Sequence, residues 1–339
     1  MADGQPVREI SAAALADAVA FGHAVTEPAE PVIIRGLCTG WPAYRAAAES
    51  WAVLTRYLLR FDVGSTAEAF VGDTAIAGRY HYGEGLEGFN FKREMLTLSQ
   101  ALDRIDAACA DRAASTVYMG SLPASVFVPG FAEENRLALI DRSIEPRLWI
   151  GNVSHVACHF DTYDNLACAI SGPRRFTLYP PEAIGDLYVG PLDHTMAGQP
   201  VSLAAGNTAD DPRYPRFAAA RNRALIADLA PGDALYLPKL WWHQVQATAP
   251  RNLMVNFWWD GFAAGPDAPF TAMMLAMITI AERPEAERAA WRAFFDHYVF
   301  RPRGHPLAHL PREKHGILGP LKNNYGSVRA MIMQLLRGR

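Results

Sequence analysis

Three residues of this chain have types and spacing that could do chemistry. His159 and Asp161 lie in CHFDTYDNLA (158–167), and His243 lies in WWHQV (241–245). In an extended strand, residues two apart point the same way, so His159 and Asp161 are expected on one face, near enough to share a cation. His155 has the same parity, but four residues at ~3.3 Å each put it ~13 Å away. A third ligand is therefore expected from another strand, and His243 is the candidate. Two imidazoles and a carboxylate on one face of an octahedron leave three positions open. That suits Fe(II) binding a bidentate cosubstrate and O2 together. Taken singly, each residue has a plainer reading. The first pair is also the polar side of a surface strand, and a histidine flanked by Trp241 and Val245 is also a hydrogen-bonded core residue. The combination carries the metal reading.

The elements that must position these residues are short. From about Val117 apolar runs such as TVYMGSL, PRLWIGNVSH, NLACAISGPRRFTLYPP, IADLAPGDALYLP, WWHQVQA and NLMVNFWW alternate with Gly, Pro, Asn and Asp. Runs of that length between turn formers are strands, and so many in series predict an antiparallel sandwich or barrel. Pro231-Gly232-Asp233 is expected to turn, and Pro238 to break the strand before His243. The polar, Pro-rich insert 199–224 reads as a long loop.

Upstream, Ser11 is placed to cap one helix through AAALADAVAFGHAV, and PVIIRGL (31–37) reads as a buried strand. WPAYRAAAESWAVLTRYLLRF has a helical period, and Thr97 with Gln100 forms a capping box that opens LSQALDRIDAAC. After Gly261 the texture is helical again. Trp291, Phe294, Phe295 and Tyr298 make one apolar stripe, and Val328, Met331, Ile332, Leu335 and Leu336 another. Such stripes usually pack within their own domain; the alternative is a subunit interface, which the methionines of AMMLAMI slightly favour.

Composition excludes several classes. Half of the 339 residues are hydrophobic and 20% are charged, which suits a globular core. A formal charge of −3 without a basic block leaves no footprint for nucleic acid or an anionic membrane. The four cysteines form no C-x-x-C pair, as expected of reduced thiols in a cytoplasm. Asp3, Glu9 and Asp17 interrupt any signal-peptide pattern, and FTAMMLAMITIA is too short to span a bilayer. GEGLEG (83–88) imitates a dinucleotide fingerprint, but Glu84 and Glu87 stand where a pyrophosphate needs amide donors, so it reads as an exposed turn. Asn152 in NVS matters as a sequon only in a secreted protein. The signatures of zincins, serine hydrolases and P-loop NTPases are missing.

Four segments together resemble the jumonji-C/cupin-like branch of the Fe(II)- and 2-oxoglutarate-dependent oxygenases, most of all its asparaginyl-hydroxylase type. They are PVIIRGL with GWPA, HFDTYDNLACAISGPRRFTLYPPE, PGDALYLPKLWWHQV and VNFWW, in the expected order over most of residues 31–260. The resemblance implies a mainly β fold, a double-stranded β-helix (jelly-roll). It would have N-terminal α/β elements (1–115), a core (116–262) and a C-terminal helical region (263–339) that forms a homodimer, all one structural unit. It places His159, Asp161 and His243 on the iron triad. Asn165 and Asn256 fall on positions that contact 2-oxoglutarate or its surroundings, and Tyr118 on a tyrosine that bonds its distal carboxylate. The usual lysine for that carboxylate falls on Arg174 and the usual threonine on Val156. Arginine keeps the charge and can grip a carboxylate with two donors, while valine removes a hydroxyl. Strand alternation sends only one of Arg174 and Arg175 inward.

The resemblance further implies Fe(II), 2-oxoglutarate and O2 as reactants, with succinate and CO2 released as a C–H bond is hydroxylated. The acceptor would be a protein or peptide side chain, or else a small molecule. Histone-type demethylation is less expected, since no chromatin-reading module is visible. Trp241, Trp242, Phe257 and Trp258 are candidates for the pocket wall, with core packing expected for at least half. A metal-binding regulator or scaffold without turnover competes with the enzyme reading, as does a cupin of another reaction class, such as an isomerase.

Overall fold

The computed structural model describes residues 4–111, 114–206, 211–261 and 267–338. Among the described residues, fifteen strands carry the fold. Seven belong to the N-terminal part: β1 (Gln5–Pro6), β2 (Arg8–Ser11), β3 (Val32–Arg35), β4 (Thr66–Gly72), β5 (Arg79–Tyr80), β6 (Lys92–Thr97) and β7 (Thr116–Pro123). Eight follow: β8 (Pro146–Gly151), β9 (Ser154–His159), β10 (Asp164–Ser171), β11 (Arg174–Tyr179), β12 (Leu225–Leu229), β13 (Ala234–Leu237), β14 (Trp242–Ala247) and β15 (Asn252–Trp259).

The last eight strands divide into two facing sets of four, β13-β10-β15-β8 and β12-β11-β14-β9. This is the jelly-roll arrangement expected from the sequence. The N-terminal strands extend both sets. β2 and β3 join beside β13, while β7, β4 and β6 continue beyond β8, giving nine strands. β1 and β5 pair in parallel with β12 and β9, giving six. Each jelly-roll edge is thereby covered by another strand, which blunts an aggregation-prone surface.

β10 shows how the core is built. Its residues 164–170 are all buried, as in a strand covered on both faces. Leu166, Cys168 and Ile170 point into a core shared with helices, while Ala167 and Ala169 point between the sheets against Phe176, Leu235 and Met254. The turn at Pro231-Gly232-Asp233 forms as expected, with Gly232 at φ +96°, where a side chain would also strike Thr39 and Tyr44. Asp233 there accepts from Arg35, whose guanidinium also holds Glu9, so one cation ties β2, β3 and the turn before β13.

Two expected helices are each broken by a cap. Ser11 caps only a short turn, Ala12–Ala14, and Asp17 then caps α1 (Ala18–Phe21), accepting from the Val19 and Ala20 amides. α2 (Pro42–Glu49) stops at Ser50, whose hydroxyl accepts from Val53 N and starts α3 (Trp51–Leu59). A short polar side chain competing for backbone donors is the common cause. The Thr97–Gln100 capping box is present at the start of α4 (Leu98–Ala110). α5 (Ala124–Phe127) and α6 (Phe131–Glu134) follow β7. In the 199–224 insert, α7 (Phe217–Arg221) interrupts the expected loop, and residues 207–210 lie outside the described residues. GEGLEG is an exposed turn, as expected.

The chain divides into two compact units, Met1–Trp259 and Asp260–Arg339. The expected boundary at 262/263 lies outside the described residues. The second unit holds α8 (Pro269–Ile280), α9 (Glu285–Phe295) and α10 (Leu321–Arg337). Their apolar stripes do not form a buried core in the single chain. Trp291, Phe294 and Tyr298 are 42, 57 and 45% exposed, and Met331, Ile332, Leu335 and Leu336 are exposed too. Among the described residues, no helix is long and apolar enough to cross a membrane.

Candidate metal centre and its cavity

His159 is the last residue of β9, and it pairs across the sheet with His243 on β14. Between Val156 and His159, β9 takes three steps while β14 takes two from Val245 to His243. This bulge switches the alternation of side chains, as bulges beside functional sites often do. Val156 and His159 both face the space between the sheets, whereas His155 lines the opposite side. The expectation that His155 shares the parity of His159 is therefore corrected. So is the premise that Asp161 continues the strand, because β9 ends at His159 and Asp161 sits in the bend that follows.

The bend is held from outside. Leu240 N donates to Asp161 O, with Leu240 in a left-handed conformation (φ +68°) that a leucine adopts only at some cost. Asp164, expected as a turn residue, is instead buried at the start of β10. It accepts from Tyr236 Oη (3.1 Å) and Lys239 N (3.3 Å). Loop 238–241 and the Asp161 bend thus brace each other, which sets the carboxylate against the histidines.

The ligand atoms of His159, Asp161 and His243 all lie within 4.8 Å of one another. His243 Nε2 and Asp161 Oδ2 are 3.7 Å apart, too far for a hydrogen bond. Each histidine places Nδ1 against a backbone carbonyl two residues back, Ala157 O at 2.8 Å and Trp241 O at 3.0 Å. An Nδ1–H donated there leaves Nε2 with its lone pair free toward the other two side chains. Burial, with a contribution from His159, lowers the His243 pKa to about 4, so its imidazole is neutral at ordinary pH. A neutral imidazole is the ligand form, and the donor set fits a divalent transition metal with open positions.

The triad opens on a cavity of about 500 Å³ whose lining includes every residue singled out for the cosubstrate: Tyr118, Asn165, Arg174 and Asn256. Arg174 is 3% exposed, no carboxylate pairs with it among the described residues, and its Nε has no acceptor there. Desolvation lowers its pKa to about 10. A buried cation without a counter-charge is costly unless an anion comes to it. Burial also pushes the Tyr118 phenol upward, against a smaller opposing influence of Arg174. Asn165 and Asn256 form a relay: Trp149 Nε1 donates to Asn256 Oδ1 (2.6 Å), and Asn256 Nδ2 donates to Asn165 Oδ1 (3.0 Å). Arg175 points outward and pairs with Asp228 at 2.6 Å, as alternation requires.

Sequence reasoning missed part of the wall. Of the four candidate aromatics only Trp258 lines the cavity. Trp242 packs on Phe160, Phe257 on Trp41, and Trp241 against the core between the sheets. Trp149 and Tyr80 were not singled out, and they stand in the cavity wall. Gly120 makes room for Trp149, since a Cβ there would fall 2.6 Å from the indole. The mouth is shaped by Met196, Ala197, Gln199 and Val201 of the 193–223 segment. Arg93 anchors that segment, donating to Met196 O and Glu68 while lying over Phe70 and Phe89. Tyr82 Oη donates to His194 O beside it.

A family profile described as the cupin-like domain matches residues 18–265. Among curated proteins, the human HSPB1-associated protein 1 is 31% identical over 150 residues, covering 43% of this chain and 30% of the relative. The Jumonji C domain-containing protein 5 of Drosophila melanogaster is 33% identical over 119 residues, 35% of this chain and 28% of its own length. The lysine-specific demethylase JMJ31 of Arabidopsis thaliana is 28% identical over 156 residues, 44% and 26%. The matched region thus spans less than a third of each relative's length.

Proposed function

This chain belongs to the cupin-like domain family, and from that premise we propose that it is an Fe(II)- and 2-oxoglutarate-dependent oxygenase that hydroxylates its substrate. The observation that carries the reading is one cavity holding both an open His-Asp-His donor set and the buried guanidinium of Arg174, which has no ion pair among the described residues. His159, Asp161 and His243 would hold the metal. When bound, iron supplies activation of O2 coupled to loss of CO2 from 2-oxoglutarate, leaving succinate.

The chain's own residues do the positioning. Arg174 would neutralise the distal carboxylate of the keto acid, with the Tyr118 hydroxyl, kept protonated by its burial, as a second donor. Asn256 is held by Trp149 and in turn fixes Asn165, so the amide facing the cosubstrate has a set orientation. The Arg93-anchored segment would keep bulk water from the mouth.

A protein or peptide is the first choice of substrate, supported by relatives named for association with another protein; a small molecule is the second. The exposed apolar stripes of α9 and α10 support a homodimer through the C-terminal helices, which a solution mass of 37.2 kDa alone would refute. Four free cysteines support a reducing, cytoplasmic location. A metal-binding regulator without turnover is the second reading, favoured by Val156, which leaves the cavity wall without a hydroxyl at that point.

Anaerobic Fe(II) with 2-oxoglutarate should give a visible charge-transfer band that His159→Ala abolishes. Admission of O2 should then yield succinate. No band and no succinate would end the oxygenase reading, while a band without succinate would favour the regulator.

A further inference from the structure

A second cavity, about 570 Å³, lies across the six-stranded sheet from the metal-ligand set. Side chains of β11 and β14 that alternate away from the inner cavity line it, namely Arg175, Thr177, Gln244 and Gln246. Arg79 and Arg221 close it from the N-terminal part and from α7, and Tyr179 and Phe217 contribute apolar surface.

Its charge is one-sided. Three arginines line it and, among the described residues, no carboxylate does. Arg175 is neutralised by Asp228, but neither Arg79 nor Arg221 has an ion pair among the described residues. Burial first, and then the proximity of Arg79, lower the His155 pKa, which keeps its imidazole from adding a further cation. The hydrogen-bonding groups are also unspent. The side chains of Thr177, Gln244 and Gln246 make no hydrogen bond to the described residues, although Thr177 is buried and both glutamines are half-buried. These groups face the open cleft, so their donors and acceptors are free to bond whatever occupies it.

We propose that this cleft is a second ligand site, for a small organic anion carrying phosphate or carboxylate groups. Arg79 and Arg221 take the charge, the two glutamines and Thr177 bond the polar body, and the Tyr179 and Phe217 surface accepts an apolar portion. The volume lies within the range of about 300–1,000 Å³ usual for small-ligand sites, and the polar groups line a concavity rather than a flat patch. Tyr80, Val156 and Ala157 line both cavities, so a ligand in the cleft touches the strand that ends at His159. The inference does not depend on the oxygenase reading.

The test is calorimetric titration of the metal-free full chain with pyrophosphate and, separately, citrate, at low and at physiological salt. At least one should bind one-to-one, and which of them binds more tightly tells phosphate from carboxylate ligands. Arg79→Gln and Arg221→Gln should each weaken binding about 10-fold, the worth of a charge-assisted hydrogen bond. Arg174→Gln, in the inner cavity, should leave it unchanged. Circular dichroism of the variants should match the parent, since Arg79 is exposed and Arg221 half-buried. Affinity weaker than about 1 mM for both probes would overturn the proposal. Binding that survives both cleft variants, or that Arg174→Gln abolishes, would overturn it equally.

Discussion

The inner cavity and the outer cleft share β9, β11 and β14 as walls, yet the two hollows have opposite characters. The inner one is walled mostly by apolar and aromatic side chains around three side chains that could hold a metal and one cation without an ion pair among the described residues. The outer one is lined by arginines and amides, with the Asp228 carboxylate spent on Arg175. Neighbours in sequence are thus sorted by parity into different electrostatic worlds. Arg174 is desolvated and has no ion pair among the described residues, while Arg175 keeps its water and its partner. Residue type alone does not decide what a side chain can do; the dielectric around it does.

The sharpest way to break this comparison is at the metal set. His243→Ala should weaken Mn(II) binding, followed by electron paramagnetic resonance, by more than about 100-fold, because even indirect supports of a ligand are worth 10–100-fold. Gln244→Ala, one residue along and facing outward, should leave it within about 2-fold. Equal losses would mean that the two faces are not separate.

Next come the paired arginines. Arg174→Met should cost about 10–100-fold in 2-oxoglutarate affinity by calorimetry, from the lost charge-assisted bonds. In the ligand-free protein the same change should raise stability by ~1–3 kcal/mol in urea unfolding, since it removes an uncompensated buried charge. A destabilised Arg174→Met protein would show that the guanidinium has a counter-charge after all.

Asn256→Ala strips the partner from Trp149 Nε1 and Asn165 Oδ1 and should destabilise by ~1–3 kcal/mol. The smallest effect is expected outside. Arg175→Met removes a solvent-exposed pair and should cost only ~0.2–1 kcal/mol. Its pH dependence has a definite sign. The hydrogen bond from Arg175 holds the Asp228 carboxyl below its usual pKa. The pair's stabilisation is therefore fully present above the unfolded value of about 3.9 and fades as pH falls through the lower folded value. Parent and variant should converge in acid, and a gap that widens there would refute this account.

Much of this arrangement was legible beforehand because its signals are local. Short apolar runs between turn formers marked the strands from Thr116 onward, Gly232 marked a turn, and Thr97 with Gln100 marked a helix start. The outward fate of one arginine followed from the two-residue period of a strand. Where a cap competed with a helical period, as at Asp17 and Ser50, the pattern ran through a break it could not register. Trp149 and Asp164 carried no signal either, because their roles depend on Gly120, Tyr236 and Lys239, all remote in sequence.

By itself, then, the sequence determined the residues able to bind a metal, the class of fold and the side of the sheet each member of a regular strand would face. These follow from side-chain chemistry and from the strand period. Only the tertiary structure decided that β9 bulges, which sends His155 outward and His159 inward, and that Asp161 reaches the site from a bend braced by Leu240. It alone decided that, among the described residues, the buried Arg174 Nε meets no acceptor. The physical reason is common to all three. Register, bracing and counter-charge depend on which distant segments meet, and those meetings are set by how the two sheets close over one core.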